Sequence, residues 1–308
     1  MYLVDFIKRM ARKSNIPILI YLILNVLVIA SIVEFFLSAG LLKFWQSLII
    51  GIVLYAISLT IALSPIGEWI LRLQTGCKKI KRIEQIEFIE PIFKEVYNEA
   101  KKLDPSIPDN VKLYMNTDEA PNAFATGRKT ICVTEGLLHM PENQVKATLG
   151  HEFGHLAHKD TDLILMVSVG NLIVSAFIIG IKLFLDLFHL MFGIFALFFG
   201  GTEGLMSAIV NTISHALMSL IVAGLTWVWT KIGVLLVMKT SRSNEYQADE
   251  FSFHLGYGND LCALLDSISN SHAEGLFASL ASSHPDKDDR IANLQKLGAT
   301  YRASYGAK

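Results

Sequence analysis

The chain has 308 residues, of which 52% are hydrophobic and 18% are charged, and its mean hydropathy is +0.43. Soluble domains carry about 25% charged residues, so this composition argues against a wholly soluble globular enzyme and against a disordered chain. The formal net charge of −1 excludes a globally basic nucleic-acid binder, because phosphate binding needs a concentrated cationic surface. The three cysteines are widely separated and form no CxxC pair, which indicates reduced thiols rather than a disulfide framework.

Two apolar runs, residues 16–33 and 44–63, lie near the N-terminus. Each is close to the roughly 20 residues with which a helix crosses the hydrocarbon core of a bilayer, so we interpret the pair as a membrane hairpin. A signal peptide is the alternative for the first run, because four basic residues precede it. The run is long for such a peptide, and no small-residue cleavage pattern follows it cleanly.

A second apolar block covers residues 163–238. Its charged residues are Lys182, Asp186, Glu203 and Lys231. Two further spans are predicted, over about 163–185 and about 206–238. The apolar stretch 187–200 between them is too short for another full span, which favours a re-entrant or interfacial segment.

Basic residues flank the first two spans unequally. Four precede the first span and five lie at positions 72–82 after the second, whereas the loop between the spans carries only Lys43. The positive-inside rule therefore predicts that the N-terminus and the segment from Arg72 onward face the cytoplasm.

The polar segment between the two apolar blocks resembles a folded domain. Apolar residues at helical spacing predict a helix over 83–103, and alternating residues predict short strands over 111–115 and 130–134. A turn is expected at 127–129. Pro141 then opens a helix that is expected to continue to about His158.

The residues His-Glu-Phe-Gly-His at 151–155 carry the strongest chemical signal. On a helix, His151 and His155 are four residues apart, so both imidazoles face one side and can bind one Zn²⁺. Glu152 is placed to deprotonate a zinc-bound water. Gly154 allows another backbone or a substrate to approach closely. The alternative is a surface helix with two solvated histidines.

A catalytic zinc also needs a third protein ligand. His158 is one candidate, although a single helix does not easily offer three ligands in tetrahedral directions. Glu245, on a helix predicted over 244–255 and stopped by Gly256, is the stronger candidate, and Asp249 one turn later could orient a ligand histidine. On spacing alone, the Glu/Asp pair is more simply a solvated helix face. Glu245 meets the histidines only if an even number of spans separates them, and the second block supplies two.

Four ordered motifs carry a family resemblance: residues 121–127, 151–155, 243–249 and 282–285, the last followed by Arg290 on a helix predicted near 288–297. Together they resemble the HtpX-type membrane zinc metallopeptidases, a family that also includes the CAAX prenyl endopeptidases. The likeness covers essentially the whole chain. The CAAX enzymes have more membrane spans, so this shorter chain is nearer the bacterial HtpX type.

The resemblance implies a mainly α membrane protein with about four transmembrane helices and a zincin-like α+β cytosolic metallopeptidase domain. It implies one Zn²⁺ per chain, with His151, His155 and Glu245 as ligands and Glu152 as the catalytic residue. It further implies proteolytic quality control of damaged or misfolded membrane proteins under stress. The expected location is the bacterial inner membrane, with the catalytic domain facing the cytoplasm.

The expected domain organisation has four parts. Residues 1–72 form the membrane hairpin, and 73–162 form the first part of the catalytic domain. Residues 163–238 form the second membrane block, and 239–308 return to the catalytic domain with the third ligand. The spans would thus interrupt the domain between its two ligand-bearing helices.

The mechanistic hypothesis is zinc-assisted peptide hydrolysis, in which Glu152 activates water and passes its proton to the leaving amine. The strand near 131–134 is predicted to bind substrate by edge addition. Asn122 is a candidate for shaping the cleft, with a structural turn as the alternative. His284 and Arg290 are candidates for stabilising the oxyanion, with a cap or surface role as the alternative.

Two other functions compete with the peptidase. One is an inactive zinc-binding scaffold on the same fold, which the presence of Glu152 disfavours. The other is a transporter or channel whose path is lined by Lys182, Asp186 and Lys231. For the leading hypothesis the partners are protein substrates and the lipid bilayer, with no nucleic acid.

Overall fold

The computed structural model describes Val4, Phe6 and residues 16–34, 43–267 and 286–302. In this part the chain is mainly helical and contains a single three-stranded sheet. The expected combination of many helices with a small α+β region is therefore confirmed. His284 lies outside the described residues.

The helices and strands follow one another along the chain. In order they are α1 (Ile16–Val33), α2 (Phe44–Ala62), α3 (Pro65–Gln74), α4 (Ile83–Leu103), β1 (Lys112–Asn116), β2 (Ala123–Gly127), β3 (Thr130–Thr134), α5 (Glu142–His158), α6 (Thr161–Leu165), α7 (Asn171–Phe199), α8 (Gly201–Ser252), α9 (Gly258–Ser267) and α10 (Lys287–Leu297). Three five-residue turns of irregular helix are a 3₁₀ turn at Glu135–His139 and π turns at Met166–Gly170 and Phe253–Tyr257.

The first two apolar runs form helices with almost the predicted bounds. Within the described residues, α2 alone is both long and apolar enough to cross a membrane, with 19 residues and a hydropathy of 1.9. Shorter apolar helical stretches lie at Ile18–Ser31, Thr161–Gly170 and Asp186–Ala196. One such helix is weak evidence for a membrane protein, so the prediction of about four spans is not confirmed.

The second apolar block differs from its predicted segmentation. The stretch 187–200 was expected as a separate re-entrant or interfacial segment. Its residues 187–199 instead form the second half of α7, which continues for 29 residues or about 44 Å. Residues 206–238 and 244–252 likewise belong to one helix, α8, of 52 residues. No proline interrupts either helix, and the break comes at Gly256, whose φ of 93° is readily adopted only by glycine.

The chain divides into two compact units. The first consists of Met1–Leu24, Leu59–Val169 and Leu236–Lys308, and it contains the sheet and α5. The second consists of Asn25–Ser58 and Gly170–Leu235 and is helical where it is described. The four-part domain division stays a prediction.

Polar side chains of the second unit pair with one another. Asn25 donates from Nδ2 to Tyr55 Oη at 2.9 Å and accepts from Trp229 Nε1 at 2.8 Å. Asp186, predicted to line a path in the transporter hypothesis, forms an ion pair of 2.7 Å with His215. The contacts tie together helices whose outer faces expose large apolar side chains.

The sheet of the first unit has the order β1-β3-β2, with β1 parallel and β2 antiparallel to β3. The two predicted strands correspond to β1 and β3, and the turn expected at 127–129 joins β2 to β3. The prediction that residues 131–134 offer a free edge is wrong, because β3 is the central strand and both of its sides are hydrogen-bonded. The edge strands are β2 and β1, and Met115 of β1 exchanges two hydrogen bonds with Lys78 on its outer side.

Helices α4 and α5 cover one face of this sheet. The predicted helix 83–103 is confirmed with identical bounds, and its apolar stripe packs into the core with Val133 from β3 and Phe153 from α5. Phe153 contacts Phe93 of α4 at a ring-centroid distance of 5.5 Å. This packing fixes α5 beside the sheet and so determines where the residues at 151–155 lie.

Candidate metal centre

Helix α5 carries the first two candidate metal ligands. It begins at Glu142 directly after Pro141 and ends at His158, so the predicted helix is confirmed. The rings of His151 and His155 lie one turn apart, with centroids 4.7 Å apart and planes at 89°. Their Nε2 atoms are 3.1 Å from each other. Both imidazoles thus direct Nε2 to one point, the convergence point.

Helix α8 brings Glu245 to that point. Its Oε1 lies 3.3 Å from His155 Nε2, and its Oε2 lies 3.6 Å from His151 Nε2. In a tetrahedral zinc site with Zn–N near 2.0–2.1 Å, neighbouring donor atoms are about 3.3 Å apart. The two imidazoles and the carboxylate therefore fit around one ion with one face left open.

His158, the competing third ligand, lies elsewhere. Its side chain is exposed, and its ring is 6.4 Å from that of Phe251 in an edge-on contact. One more turn along α5 has moved this imidazole away from the convergence point. The geometry therefore favours Glu245 over His158.

The close approach of α8 to α5 depends on Gly154. A Cβ atom built on Gly154 would lie 2.8 Å from the Cα of Ala248. The absence of a side chain at this position thus lets the α8 backbone contact α5, one turn after Glu245. The expectation that Gly154 permits a close backbone approach is confirmed.

Each histidine is held by a carboxylate on its other nitrogen. His151 Nδ1 lies 2.8 Å from Asp249 Oδ1, and His155 Nδ1 lies 3.0 Å from Asp160 Oδ2. Such partners fix the tautomer in which Nε2 carries the free lone pair. Asp249 is the predicted partner. Asp160 was missed, because it follows a left-handed turn at Lys159 and shares no helical spacing with His155.

Glu152 faces the edge strand. Its Oε2 accepts a hydrogen bond of 2.9 Å from the backbone N–H of Ala125 in β2, and its side chain is buried. His151, Glu152 and His155 each offer a donor atom within 4.8 Å of the others. Glu152 therefore lies between the convergence point and the free edge of the sheet, where a base for an incoming water is needed.

This arrangement agrees with what the chain matches among known proteins. Residues 89–298 match the profile of peptidase family M48. The chain belongs to peptidase family M48. It is a metallopeptidase, and the family implies a catalytic metal at the group formed by His151, Glu152 and His155.

Individual relatives agree with the family match. The chain is similar to a "Protease HtpX homolog" of Campylobacter curvus, with 27% identity over 249 residues covering 71% of this chain and 80% of the relative. A homolog of the same description from Campylobacter concisus is 31% identical over 215 residues, covering 60% and 68%. One from Campylobacter hominis is 28% identical over 214 residues, also covering 60% and 68%. The resemblance to HtpX-type metallopeptidases is confirmed.

In this M48 peptidase, Arg290 lies behind the candidate ligands. It donates from Nε to Asp249 Oδ2 at 2.8 Å and from Nη2 to Oδ1 at 2.6 Å, and its Nη1 is 3.5 Å from Glu245 Oε2. The guanidinium is almost fully buried. The guanidinium thus binds the acidic residues of α8, whereas the sequence suggested a contact with the oxyanion of the substrate.

The charges of this cluster stabilise one another. Burial opposes ionisation of Asp249, but the Arg290 guanidinium outweighs it and lowers the pKa of the carboxyl to about 2. Burial likewise opposes protonation of His155, yet hydrogen bonds to Asp160 and Glu245 hold its pKa well above the ordinary value. A cation at the convergence point would compensate the negative charge of the carboxylates that now favour protonated His155.

Two further predicted contacts have different outcomes. Asn122 immediately precedes β2, its side chain is exposed, and its backbone N–H donates to Thr134 Oγ1 at 2.9 Å. It therefore opens the edge strand and does not lie in a simple turn. His284 falls outside the described residues, and its role stays a prediction.

Proposed function

We propose that this M48 member is an integral-membrane, zinc-dependent endopeptidase that degrades damaged or misfolded membrane proteins. The proposed peptidase site is supported by one observation. His151 Nε2, His155 Nε2 and the carboxylate oxygens of Glu245 lie 3.1–3.6 Å from one another, beside Glu152. One zinc ion is proposed per chain, with these three side chains as its ligands. Three protein ligands and an open position are typical of catalytic zinc.

The reaction is the hydrolysis of a peptide bond by water. When bound, zinc supplies a Lewis acid that polarises the scissile carbonyl and lowers the pKa of a water molecule. Glu152 takes a proton from the attacking water and then transfers it to the nitrogen of the leaving amine. Its contact with the Ala125 N–H holds the carboxylate toward the cleft.

The free edge of β2 is the proposed binding surface for the substrate backbone. Thr134 N–H donates to the Asn122 carbonyl at 2.9 Å, which sets the alternation of hydrogen bonds between β2 and β3. In this alternation Phe124 bonds β3, whereas the backbone groups of Ala123 and Ala125 face outward. The Ala125 N–H donates to Glu152, which leaves the Ala125 carbonyl and the backbone groups of Ala123 for a peptide. An extended peptide that adds to this edge is held by main-chain hydrogen bonds, which tolerate varied side chains. Such tolerance suits a quality-control peptidase.

Arg290 is proposed as a positioning residue. Its two-pronged contact with Asp249 holds the carboxylate that orients His151, and its proximity to Glu245 adds positive charge behind the third ligand. In this role it acts through the ligands and does not touch the substrate. The proposed roles of the ligands and of Asp249 thus depend on one buried guanidinium.

The membrane part of the proposal is supported by apolar helices. Helix α2 is long and apolar enough to span a bilayer, and many large apolar side chains of α7 and α8 are exposed. The basic residues before α1 and after α2 favour a cytoplasmic N-terminus and catalytic domain in the inner membrane of a bacterium. An even number of spans between α5 and the end of α8 would keep the three proposed zinc ligands on the cytoplasmic side.

The peptidase test uses the full chain, purified in detergent and loaded with zinc. Cleavage of casein or of a denatured membrane protein is expected, and the Glu152→Gln variant should lose at least ~10³-fold in rate while it retains one zinc. Glu250→Gln, at an exposed position on α8, is the matched control with unchanged activity and zinc content. Equal cleavage by the Glu152→Gln variant would refute the mechanism.

The cellular role needs a separate experiment. Proteomics of the membrane fraction should show substrates that accumulate in cells with the Glu152→Gln variant and disappear with the wild-type protein. A change confined to soluble proteins would contradict the proposed substrate class. A reporter fused after Lys308 that reads out as periplasmic would contradict the topology.

A further inference from the structure

Helix α3 has an apolar face that is not covered by the rest of the protein. Three large side chains recur on it at helical spacing, and more than half of each is exposed: Ile66 at 58%, Trp69 at 54% and Leu73 at 61%. The opposite face is buried and includes Glu68 and Leu71. An exposed apolar stripe of this kind marks a surface that binds a partner or a membrane.

The place of α3 in the chain indicates a membrane. Helix α2, with 19 residues, is about 29 Å long, which is close to the thickness of a hydrocarbon core. Only residues 63–64 separate it from α3. A Cβ atom at Gly67 would overlap the carbonyl oxygen of Ala62, so α3 packs directly against the end of α2. If α2 spans the bilayer as proposed, α3 begins at the level of the lipid headgroups.

A run of exposed cations follows α3. The basic run consists of Lys78, Lys79, Lys81 and Arg82, and none of these side chains forms an ion pair within the part of the chain that the structure describes. The acidic residue of the segment 65–83 is Glu68, which is buried. The exposed charge of this segment is therefore entirely positive. Apolar side chains with a tryptophan, next to lysine and arginine, are typical of helices that lie in the membrane interface.

The buried face of α3 contacts the strand that carries the proposed substrate edge. Glu68 Oε1 accepts a hydrogen bond of 3.0 Å from the backbone N–H of Arg128. A Cβ atom at Gly127, the last residue of β2, would overlap the Glu68 side chain. This contact lies two residues from Ala125, whose N–H donates to Glu152. Helix α3 therefore supports the end of the cleft next to the proposed base.

Arg72 connects α3 to the other two strands. It donates from Nη1 to Thr130 Oγ1 of β3 at 3.3 Å. Its guanidinium carbon lies 5.0 Å from the centroid of the Tyr114 ring in β1, which is within the range of a cation–π contact. Together with the contact of Glu68, these interactions join α3 to all three strands of the sheet.

We propose that α3 and the basic run dock on the anionic headgroups of the bilayer, and that this contact steadies the end of β2 at the substrate cleft. The apolar stripe enters the boundary between headgroups and acyl chains, while the basic run binds lipid phosphates. This inference rests on the proposed membrane location and adds a dependence on lipid charge. A basic run that only orients the chain in the membrane would show no such dependence.

The test places the full-length, zinc-loaded protein in nanodiscs of phosphatidylcholine, with or without added phosphatidylglycerol, and measures hydrogen exchange of the backbone amides. In the wild type we expect phosphatidylglycerol to slow exchange over residues 66–82 and over 123–128. Salt at about 1 M, where the Debye length is about 3 Å, should remove most of this protection.

Two triple variants provide the matched comparison. A lysine at an anionic surface contributes about fivefold to the affinity, so Lys78→Gln/Lys79→Gln/Lys81→Gln should lose most of the protection by phosphatidylglycerol. The control removes the same charge from exposed positions of α4 and α10 and should behave like the wild type; it is Lys94→Gln/Lys102→Gln/Lys296→Gln.

A further variant tests the connection to the cleft. Glu68→Gln keeps the shape of the side chain but weakens its contact with the Arg128 N–H. It should retain the lipid-dependent protection of residues 66–82 and lose part of that over 123–128.

Hydrogen exchange is measured without any cleavage, so the two proposals can fail separately. An inactive protein that shows the expected protection would refute the peptidase and support the docking. Equal exchange of residues 66–82 in the two kinds of nanodisc, or an equal loss of protection in the control variant, would overturn the docking. Exchange over 123–128 that does not respond to phosphatidylglycerol in the wild type would overturn the effect on the cleft.

Discussion

The carboxylate of Glu152 accepts a 2.9 Å hydrogen bond from the backbone N–H of Ala125. This contact connects the helix that bears the histidine pair to β2, one of the two edge strands of the sheet. A peptide bound along that edge would therefore lie beside both the proposed base and the proposed ligands.

Asp249→Ala should reduce both stability and metal binding. The change removes both hydrogen bonds between Arg290 and Asp249 and leaves the guanidinium with the longer contact to Glu245, so we expect a loss of up to about 3–5 kcal/mol. It also frees the Nδ1 of His151, and loss of such a partner typically lowers metal affinity by about 10–100-fold. Chemical denaturation and a zinc competition assay measure the two effects. Asp266→Ala, at an exposed position on α9, should change neither.

Asp160→Asn tests the partner of the second histidine. The neutral amide keeps the shape of the side chain but weakens the contact with His155 Nδ1, which is 3.0 Å long. We expect about 10–100-fold weaker zinc binding, measured by competition with a chelator of known affinity. The free energy of unfolding of the metal-free protein should change much less than in the Asp249→Ala variant. Unaltered zinc affinity would mean that Asp160 does not support the ligand.

Gly154→Ala should separate α8 from α5. The added Cβ would lie 2.8 Å from the Ala248 Cα, and such overpacking typically costs about 1–3 kcal/mol. Zinc affinity should fall with it, because Glu245 is on the displaced helix. Gly180→Ala is the control, since its Cβ meets nothing within 4 Å, and there alanine should be neutral or stabilising by up to about 1 kcal/mol. Denaturation of both variants measures the difference.

Arg128→Met tests a second buried ion pair, which lies at the turn between β2 and β3. Arg128 donates from Nε and Nη2 to Asp162 at 2.8 and 2.7 Å, and its backbone N–H donates to Glu68 at 3.0 Å. The variant removes the guanidinium that the buried Asp162 carboxylate binds, so we expect a loss of about 3–5 kcal/mol in the free energy of unfolding.

The double variant Arg128→Met/Asp162→Leu provides the control, because it removes both charges and should recover much of this stability. Lys129→Met, at the exposed neighbour, should be nearly neutral. If the single and double variants lost equal stability, the cost would come from packing and not from the broken ion pair.

The local features of this protein follow from contiguous stretches of its sequence. The helix with His151 and His155, the strands β1 and β3 and the helix 83–103 are each specified by contiguous residues, because side-chain periodicity and end signals act within one element. The ordered motifs also identified the family. Glu245 needed a topological argument and the family resemblance, since its spacing to Asp249 equally suits a solvated surface.

The tertiary structure decided the contacts between distant elements. It made β3 the central strand and β2 an edge strand, which residues 123–127 do not signal, and it brought the Arg290 guanidinium onto Asp249. It also placed Asp160 behind His155. Such contacts depend on how whole helices and strands pack, and no local pattern of hydrogen bonds or apolar spacing encodes them.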